Sequence, residues 1–165
     1  YEEFLKLYPG DKKAEYAQYK GLLSNFYSML SADRDQTPTL NTIALADAFL
    51  EQSNLYKQYN ADVKMIKERC YYALYDNEVV IFEYYMKKNS IKAAETRFAA
   101  IKKKYQKILP DVHAKNLHME YRIAQAKNDP VQAQRIYVQL KKRFPKYTTK
   151  LAHSTAPKKN YVSFF

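Results

Sequence analysis

The sequence is poor in the residue types that build several common kinds of functional site. Its 165 residues include only two glycines, so glycine-rich loops that cradle phosphate groups are excluded. A single cysteine, Cys70, excludes an internal disulfide framework and a multi-cysteine zinc site. No apolar run approaches the roughly 20 residues that cross a bilayer. The chain begins at Tyr1 within a helical pattern, so we expect any targeting segment to lie outside it.

Aromatic and basic side chains are abundant instead. The chain has 17 tyrosines and 8 phenylalanines, and 47% of it is hydrophobic, which is enough for one core or one repeat array. Its net charge of +11 is uneven. Residues 1–100 carry 13 basic and 14 acidic side chains, whereas residues 101–165 carry 15 basic and 3 acidic ones. Such a basic block suits nucleic acid, an anionic membrane surface or an acidic protein partner.

Helical periodicity dominates the chain, and no segment sustains the alternation of a strand. Ala, Leu, Lys, Gln and Glu fill the positions between the aromatic residues, and these residue types favour helices. Short breaks between the predicted helices imply antiparallel hairpins. The one longer connection, residues 33–38, offers Thr37 as an N-cap and Pro38 as the first helical residue. The predicted helices cover residues 1–8, 12–30, 40–57, 61–88, 91–108, 111–127 and 130–144.

One pattern recurs at the ends of four predicted helices, with residues spaced by three and then by four positions. The copies are Tyr1, Phe4, Tyr8; Phe49, Gln52, Tyr56; Phe98, Ile101, Tyr105; and Tyr137, Leu140, Phe144. The last two copies also share an earlier alanine, Ala94 and Ala133, at a period of 39 residues. These spacings place the side chains on one helix face, so we expect them in the core. The pattern is typical of tetratricopeptide repeats, and it predicts an all-α superhelix of stacked antiparallel helical hairpins.

Enzymatic sites find little support among the polar residues. His113 and His118 are five residues apart, which does not place them on one helix face as a metal pair requires, and we expect both to be partly exposed. Glu78 and Glu83 are also five apart and lie beside an aromatic stripe, which argues against paired acid and base catalysis. Cys70 lies deep inside a predicted helix and is expected to be a buried small hydrophobe. The sequence therefore predicts a protein that is not an enzyme and has no metal or cofactor.

Residues 78–97, EVVIFEYYMKKNSIKAAETR, carry a closer resemblance than a generic repeat. They resemble the BamD family of tetratricopeptide lipoproteins, which belong to the bacterial outer-membrane β-barrel assembly (BAM) machinery. The matching positions are Tyr84, Tyr85, Lys88, Ala93, Ala94 and Arg97. Residues 7–9, 33–35 and 67–74 agree as well. Asn89 replaces the family glycine, and asparagine is the next residue type suited to a left-handed helix cap.

The resemblance covers residues 1–145, the middle and end of the family domain. It implies a domain of about four tetratricopeptide repeats, the first one partial. It further implies a non-catalytic assembly factor whose C-terminal repeats bind the last POTRA domain of BamA. The N-terminal repeats would then face other BAM lipoproteins and unfolded outer-membrane proteins. The full-length protein is expected to be lipid-anchored at the periplasmic face of the outer membrane, through an N-terminal cysteine that this chain lacks.

The partner-binding residues that we expect from the matched segment are Arg97, Tyr84, Tyr85, Lys88, Lys102 and Lys103. Arg97 could reach a partner carboxylate, pair with Glu83 inside the protein, or remain solvated. Tyr84 and Tyr85 point about 100° apart on a helix, so we expect one in the core and the other at the surface. The segment Lys102–Lys104 would steer an acidic surface towards the protein or remain a solvated helix face.

Three further expectations remain open. The loop Asp33, Arg34, Asp35 is expected to be held by the arginine between two carboxylates, in preference to direct partner contact. The basic tail, residues 146–165, is expected to be flexible or extended, and its aromatic end could touch anionic lipid. The alternatives to a BAM factor are a generic tetratricopeptide scaffold with other clients and, less favoured, a helical repeat that binds nucleic acid. The basic residues lack an interleaved recognition motif, so no nucleic-acid partner is expected.

Overall fold

The computed structural model describes residues 1–8 and 10–148, and these residues form seven α-helices, one short 3-10 helix and no strand. The helices are α1 (Glu2–Leu7), α2 (Ala14–Tyr27), α3 (Thr37–Glu51), α4 (Asn60–Lys87), α5 (Ile91–Tyr105), α6 (His113–Ala126) and α7 (Pro130–Arg143). The 3-10 helix, Pro110–Val112, leads into α6. The all-α, tetratricopeptide-like class predicted from the periodicity is confirmed.

The chain divides into two compact units after Leu109, and within each unit helices that are neighbours in sequence pack against each other. In the first unit α1 packs on α2, α2 on α3, α3 on α4 and α4 on α5. In the second unit α6 packs on α7. The sequence pattern predicts one repeat domain over residues 1–145. Within that span the first unit holds α1 to α5, and the second holds the α6–α7 pair.

The first unit has a core built where α2, α3 and α4 meet. Its fully buried members are Leu22, Ala46, Phe49, Val63, Ile66 and Cys70. Burial raises the pKa of the Cys70 thiol to about 11, and its Sγ lies 3.6 Å from Met29 Sδ. The prediction that Cys70 is a buried hydrophobe is confirmed. In the second unit Ala124, Ala133 and Ile136 form the centre of the α6–α7 contact.

The residues of the repeated aromatic pattern are all buried in the third copy, whereas the other copies are only partly buried. Phe98, Ile101 and Tyr105 are buried, as is Ala94 before them. Tyr1, Tyr8 and Tyr137 are instead 58%, 56% and 39% exposed, so their assignment to the core is wrong. Tyr1 and Tyr8 lie at the two ends of the stripe on α1, and both are exposed although α1 packs on α2. Tyr137 lies one position beyond Ile136, and its ring rests against Tyr121 at a centroid distance of 5.8 Å.

The helix boundaries agree with the prediction except around α3. This helix begins at Thr37 and ends at Glu51, whereas the pattern extends it from 40 to 57. Asn60 Nδ2 donates to the Tyr56 carbonyl at 2.6 Å, and the Glu15 carboxylate accepts the N–H groups of Gln58 and Tyr59. These hydrogen bonds satisfy backbone groups in the connection between α3 and α4.

Asn89 and Asn128 occupy the turns that follow α4 and α6, and both are left-handed, with φ of 56° and 54°. In each turn the next residue donates its N–H to a carbonyl five positions earlier. Ser90 donates to Tyr85 and Asp129 to Ala124. This is the Schellman arrangement, in which asparagine is the usual substitute for glycine. The expectation for Asn89 is confirmed, and the matching role of Asn128 was not predicted.

Candidate protein-interaction site on the α4–α5 hairpin

Helix α4 is 28 residues long and serves two neighbours. Its first turns supply Val63, Ile66 and Cys70 to the core shared with α2 and α3. Further along, the Tyr75 ring meets the Tyr105 ring of α5 edge to face at 5.7 Å. The C-terminal half of α4 and all of α5 therefore form the hairpin that carries the six predicted partner-binding residues.

Arg97 is paired inside the protein, but with a different carboxylate from the one considered. Its Nη1 donates to Glu78 Oε2 at 2.8 Å. Glu78 follows Tyr75 by three positions and precedes Phe82 by four, so it shares the helix face of these two buried residues. Glu83, the carboxylate considered from the sequence, lies on an exposed part of α4, and the contact that Arg97 makes is with Glu78. The side chain of Arg97 is still 34% exposed, so it remains accessible from solvent.

Tyr84, Tyr85 and Lys88 form a small group at the end of α4. The two tyrosine rings are 5.7 Å apart and nearly perpendicular, and Lys88 Nζ lies 5.9 Å from the Tyr84 ring centroid. Tyr84 is 57% exposed, which agrees with its expected surface role. Tyr85 is half-buried, so the expectation that the other tyrosine lies in the core holds only in part. Beside Lys88, the Tyr84 ring presents a cation–π pair to solvent.

Lys102 and Lys103 are exposed in the last turn of α5. Lys102 Nζ lies 5.9 Å from the Phe98 ring centroid. Cations at a helix C-terminus are stabilised by the helix dipole, so these lysines have a structural reason to be there. At about 1.5 Å per residue, Lys102 lies about 16 Å along α5 from Ile91. The six predicted residues are therefore spread along one hairpin.

The loop Asp33, Arg34, Asp35 is held by hydrogen bonds, and the interpretation that the arginine holds it is wrong. Within the described residues Arg34 makes no ion pair with either carboxylate. Ser31 Oγ donates to Asp33 Oδ1 at 2.6 Å and holds the pKa of that carboxyl below its usual value. Gln36 Nε2 donates to the carbonyls of Ser31 and Arg34.

The same loop sets the start of α3. Asp35 Oδ1 accepts the Thr37 N–H at 3.1 Å and the Thr37 hydroxyl at 2.8 Å. Gln36 is the N-cap residue, so the prediction of Thr37 as N-cap is one position too late. Asn77 Nδ2 of α4 donates to the Ala32 carbonyl at 2.6 Å. All three predicted loop residues are exposed, and their carboxylates act mainly within the loop.

The described residues hold neither a metal-binding cluster nor a membrane-spanning helix. In residues 1–8 and 10–148, no group of three or more His, Cys, Asp and Glu side chains could hold a metal ion. No helix within this part of the chain combines the length and the apolar character that a membrane span needs. His113 and His118 are both half-buried, which confirms the expectation that both are partly exposed.

The predicted tail lies mostly outside the described residues. Pro145 to Thr148 form a helical turn, in which Thr148 Oγ1 donates to the Pro145 carbonyl at 2.7 Å. Tyr147 stands edge to face against His118, with ring centroids 6.0 Å apart, and burial raises the pKa of its hydroxyl. The proposed contact of the aromatic end with lipid falls in residues 149–165, outside the described part.

One residue of the site that the sequence does not predict is Glu78. It opens the matched segment, but the sequence brings it to notice only through its spacing from Glu83. Its spacing from Tyr75 and Phe82 was the available signal, because a carboxylate on a buried helix face requires a partner.

Comparison with known proteins identifies the family to which this chain belongs. A sequence model described as YfiO, outer membrane lipoprotein, matches residues 1–138. The chain belongs to the YfiO family of outer membrane lipoproteins. It is also 29% identical over 106 residues to the outer membrane protein assembly factor BamD of Caulobacter vibrioides. This alignment covers 64% of the chain and 34% of the relative, so the chain spans about a third of the length of that relative. The resemblance seen in residues 78–97 is confirmed.

Proposed function

We propose that this chain is a non-catalytic scaffold of the outer-membrane β-barrel assembly complex, and that it helps barrel proteins fold and insert. The observation that carries the proposal is the YfiO family match over residues 1–138. The relative in Caulobacter vibrioides bears the name of an outer membrane protein assembly factor, which supports the same role. In the full-length protein a lipid anchor would hold this scaffold at the periplasmic face of the outer membrane.

The proposed partner is a POTRA domain of BamA, bound along the α4–α5 hairpin. Arg97 supports this choice because its side chain is 34% exposed and its planar guanidinium is hydrogen-bonded to Glu78. Tyr84 and Lys88 add an exposed aromatic ring and a cation on the same hairpin. Interface anchors are enriched in arginine and tyrosine, which combine a large contact area with hydrogen bonding. Other BAM lipoproteins and unfolded outer-membrane proteins would bind elsewhere on the repeats.

The charge distribution supports an acidic partner surface. The last turn of α5 carries Lys102, Lys103 and Lys104, and the last turn of α7 carries Lys141, Lys142 and Arg143. Positive side chains at these places steer an acidic surface towards the protein and raise the association rate.

The proposal is tested by measuring binding between this chain and the separately purified POTRA domains of BamA from the same bacterium. Isothermal titration calorimetry with the wild-type chain should detect one POTRA domain that binds. Arg97→Glu should weaken this binding by about tenfold or more, as expected for a charged interface anchor. Lys64→Glu makes the same charge change on an exposed part of α4 and should stay within about twofold of wild type.

Two controls separate docking from folding. Arg97→Gln removes the charge without placing a second carboxylate beside Glu78, and thermal unfolding shows whether either variant is damaged. A basic substitution at the contacting POTRA carboxylate should restore binding to the Arg97→Glu chain. If no POTRA domain binds the wild-type chain, the function is wrong and a tetratricopeptide scaffold with other clients takes its place.

A further inference from the structure

Glu78 holds Arg97 by a single contact. Only Nη1 of the guanidinium donates to Glu78, through Oε2 at 2.8 Å. A guanidinium has five N–H donors in a fixed fork, so this contact uses one of them. With 34% of the Arg97 side chain exposed, further donors are accessible to a second acceptor from outside the protein.

The carboxylate of the pair is more deeply placed than the guanidinium. The Glu78 side chain is 22% exposed, against 34% for Arg97. The charge of Glu78 also reaches the buried hydroxyl of Tyr105, whose pKa is raised first by burial and further by this carboxylate. If Arg97 left Glu78, a largely desolvated carboxylate would lose its partner, which is unfavourable. A ligand of Arg97 is therefore expected to bind while the pair stays intact.

Both residues are fixed by regular helices. Glu78 lies in the interior of α4, and Arg97 lies in the middle of α5, next to the buried Phe98. The direction of the guanidinium is thus set by helix packing and by one hydrogen bond, without a contribution from a loop. An arginine that is already ordered loses less conformational entropy when it binds, which strengthens association.

We propose that Glu78 is a positioning residue for partner binding, an inference that rests on the function proposed above. Glu78 orders the Arg97 side chain so that the accessible N–H donors meet a carboxylate of the POTRA domain. In the complex the guanidinium lies between two carboxylates, one from this chain and one from the partner. The hydrogen-bond acceptor at position 78 matters for this role, and its negative charge does not.

The test compares Glu78→Ala with Glu78→Gln in calorimetric titrations against the POTRA domain. Glu78→Ala removes the acceptor and should weaken binding by about fivefold, because Arg97 must then be ordered on association. Glu78→Gln keeps an oxygen acceptor and should bind at least as well as wild type. Glu68→Ala, an exposed position on the same helix, is the matched control and should leave the affinity unchanged. Equal affinities for Glu78→Ala and wild type would overturn the proposal.

A second measurement needs no partner. In the free full chain, NMR of the Arg97 guanidinium should show slow rotation in wild type and Glu78→Gln, and fast rotation in Glu78→Ala. Slow rotation in Glu78→Ala would overturn the positioning role whatever the partner is.

The outcomes also separate this inference from the proposed function. Loss of binding in Arg97→Gln with full binding in Glu78→Ala would remove only the positioning role. Full binding in Arg97→Gln would overturn docking through Arg97, and with it the role of Glu78. Absence of binding by the wild-type chain would overturn the proposed function together with this inference.

Discussion

At the scale of single residues, Cys70 shows how burial controls the chemistry of a side chain. The thiol is fully buried between α4 and its neighbours, beside the sulfur of Met29. Burial disfavours the thiolate and raises its pKa from 9.0 to about 11. Because the thiolate is the reactive form, this cysteine is protected twice, by its surroundings and by its protonation.

The raised thiol pKa predicts how stability depends on pH. Below pH 9 the thiol is protonated in both states, and its contribution to stability is fully present. As the pH rises from 9 towards 11, the unfolded chain ionises first, so this contribution is lost. Urea unfolding of wild type and Cys70→Ala should therefore show a loss of stability over this range that is smaller in the variant. Parallel curves for the two proteins would contradict the expectation.

At the scale of helices, most of the fold follows from the sequence pattern. The bounds of α4, α5 and α7 were predicted to within three residues, because their apolar stripes end at asparagine turns or at an aromatic residue. The end of α3 was not predicted. The segment that follows it is held by hydrogen bonds that Asn60 donates and that Glu15 accepts, and Glu15 is distant in sequence. The exposure of Tyr1 and Tyr8 was missed for a related reason. Spacing shows which side chains share a face, but not whether a second helix covers it.

The residues of the candidate site were predicted from the sequence, but their contacts were not. Matching residues identified Arg97, Tyr84 and Lys88, and the structure places all three on one hairpin. The partner of Arg97 was missed, because the choice between Glu78 and Glu83 depends on which of them shares the buried face of α4. The packing of α4 on α5 determines this choice, and the spacing of residues in the sequence gives only a weak signal for it.

The α4–α5 contact depends on the small size of Ala94. This alanine is fully buried, four residues before Phe98, where α5 meets α4. Ala94→Leu should destabilise the protein by about 1–3 kcal/mol, because the added atoms have no space in the contact. Ala99→Leu places the same side chain on the exposed face of α5 and should change the free energy of unfolding by about 0.5 kcal/mol or less. Urea denaturation followed by circular dichroism measures both, and equal effects would show that the contact has room for a larger residue.

At the scale of the whole molecule, charge is divided along the chain. Residues 1–100 are close to neutral, and residues 101–165 hold 15 basic against 3 acidic side chains. A net charge of one sign in one part of a chain acts over about 10 Å at ordinary salt concentrations. Any partner that approaches this part is selected for negative charge before specific contacts form.

Salt should therefore weaken binding of the POTRA domain. Raising sodium chloride from 50 to 300 mM should lower the affinity several-fold, mainly through the association rate, because screening removes the steering. Surface plasmon resonance gives the two rate constants separately. A single-stranded RNA of mixed sequence is the comparison ligand, and tight salt-sensitive binding of RNA with salt-independent binding of the POTRA domain would favour the nucleic-acid alternative.

The two asparagine turns carry a consequence for how such a protein changes length. Asn89 and Asn128 lie 39 residues apart and have the same left-handed geometry and the same hydrogen bonds. The segment from Asn89 to the residue before Asn128 contains two α-helices. Helix α5 follows the first turn, and helix α6 leads into the second. Duplication of the DNA for this segment would keep the reading frame and join each new helix to a turn of the correct shape. Lengthening by internal duplication would therefore require no new connection.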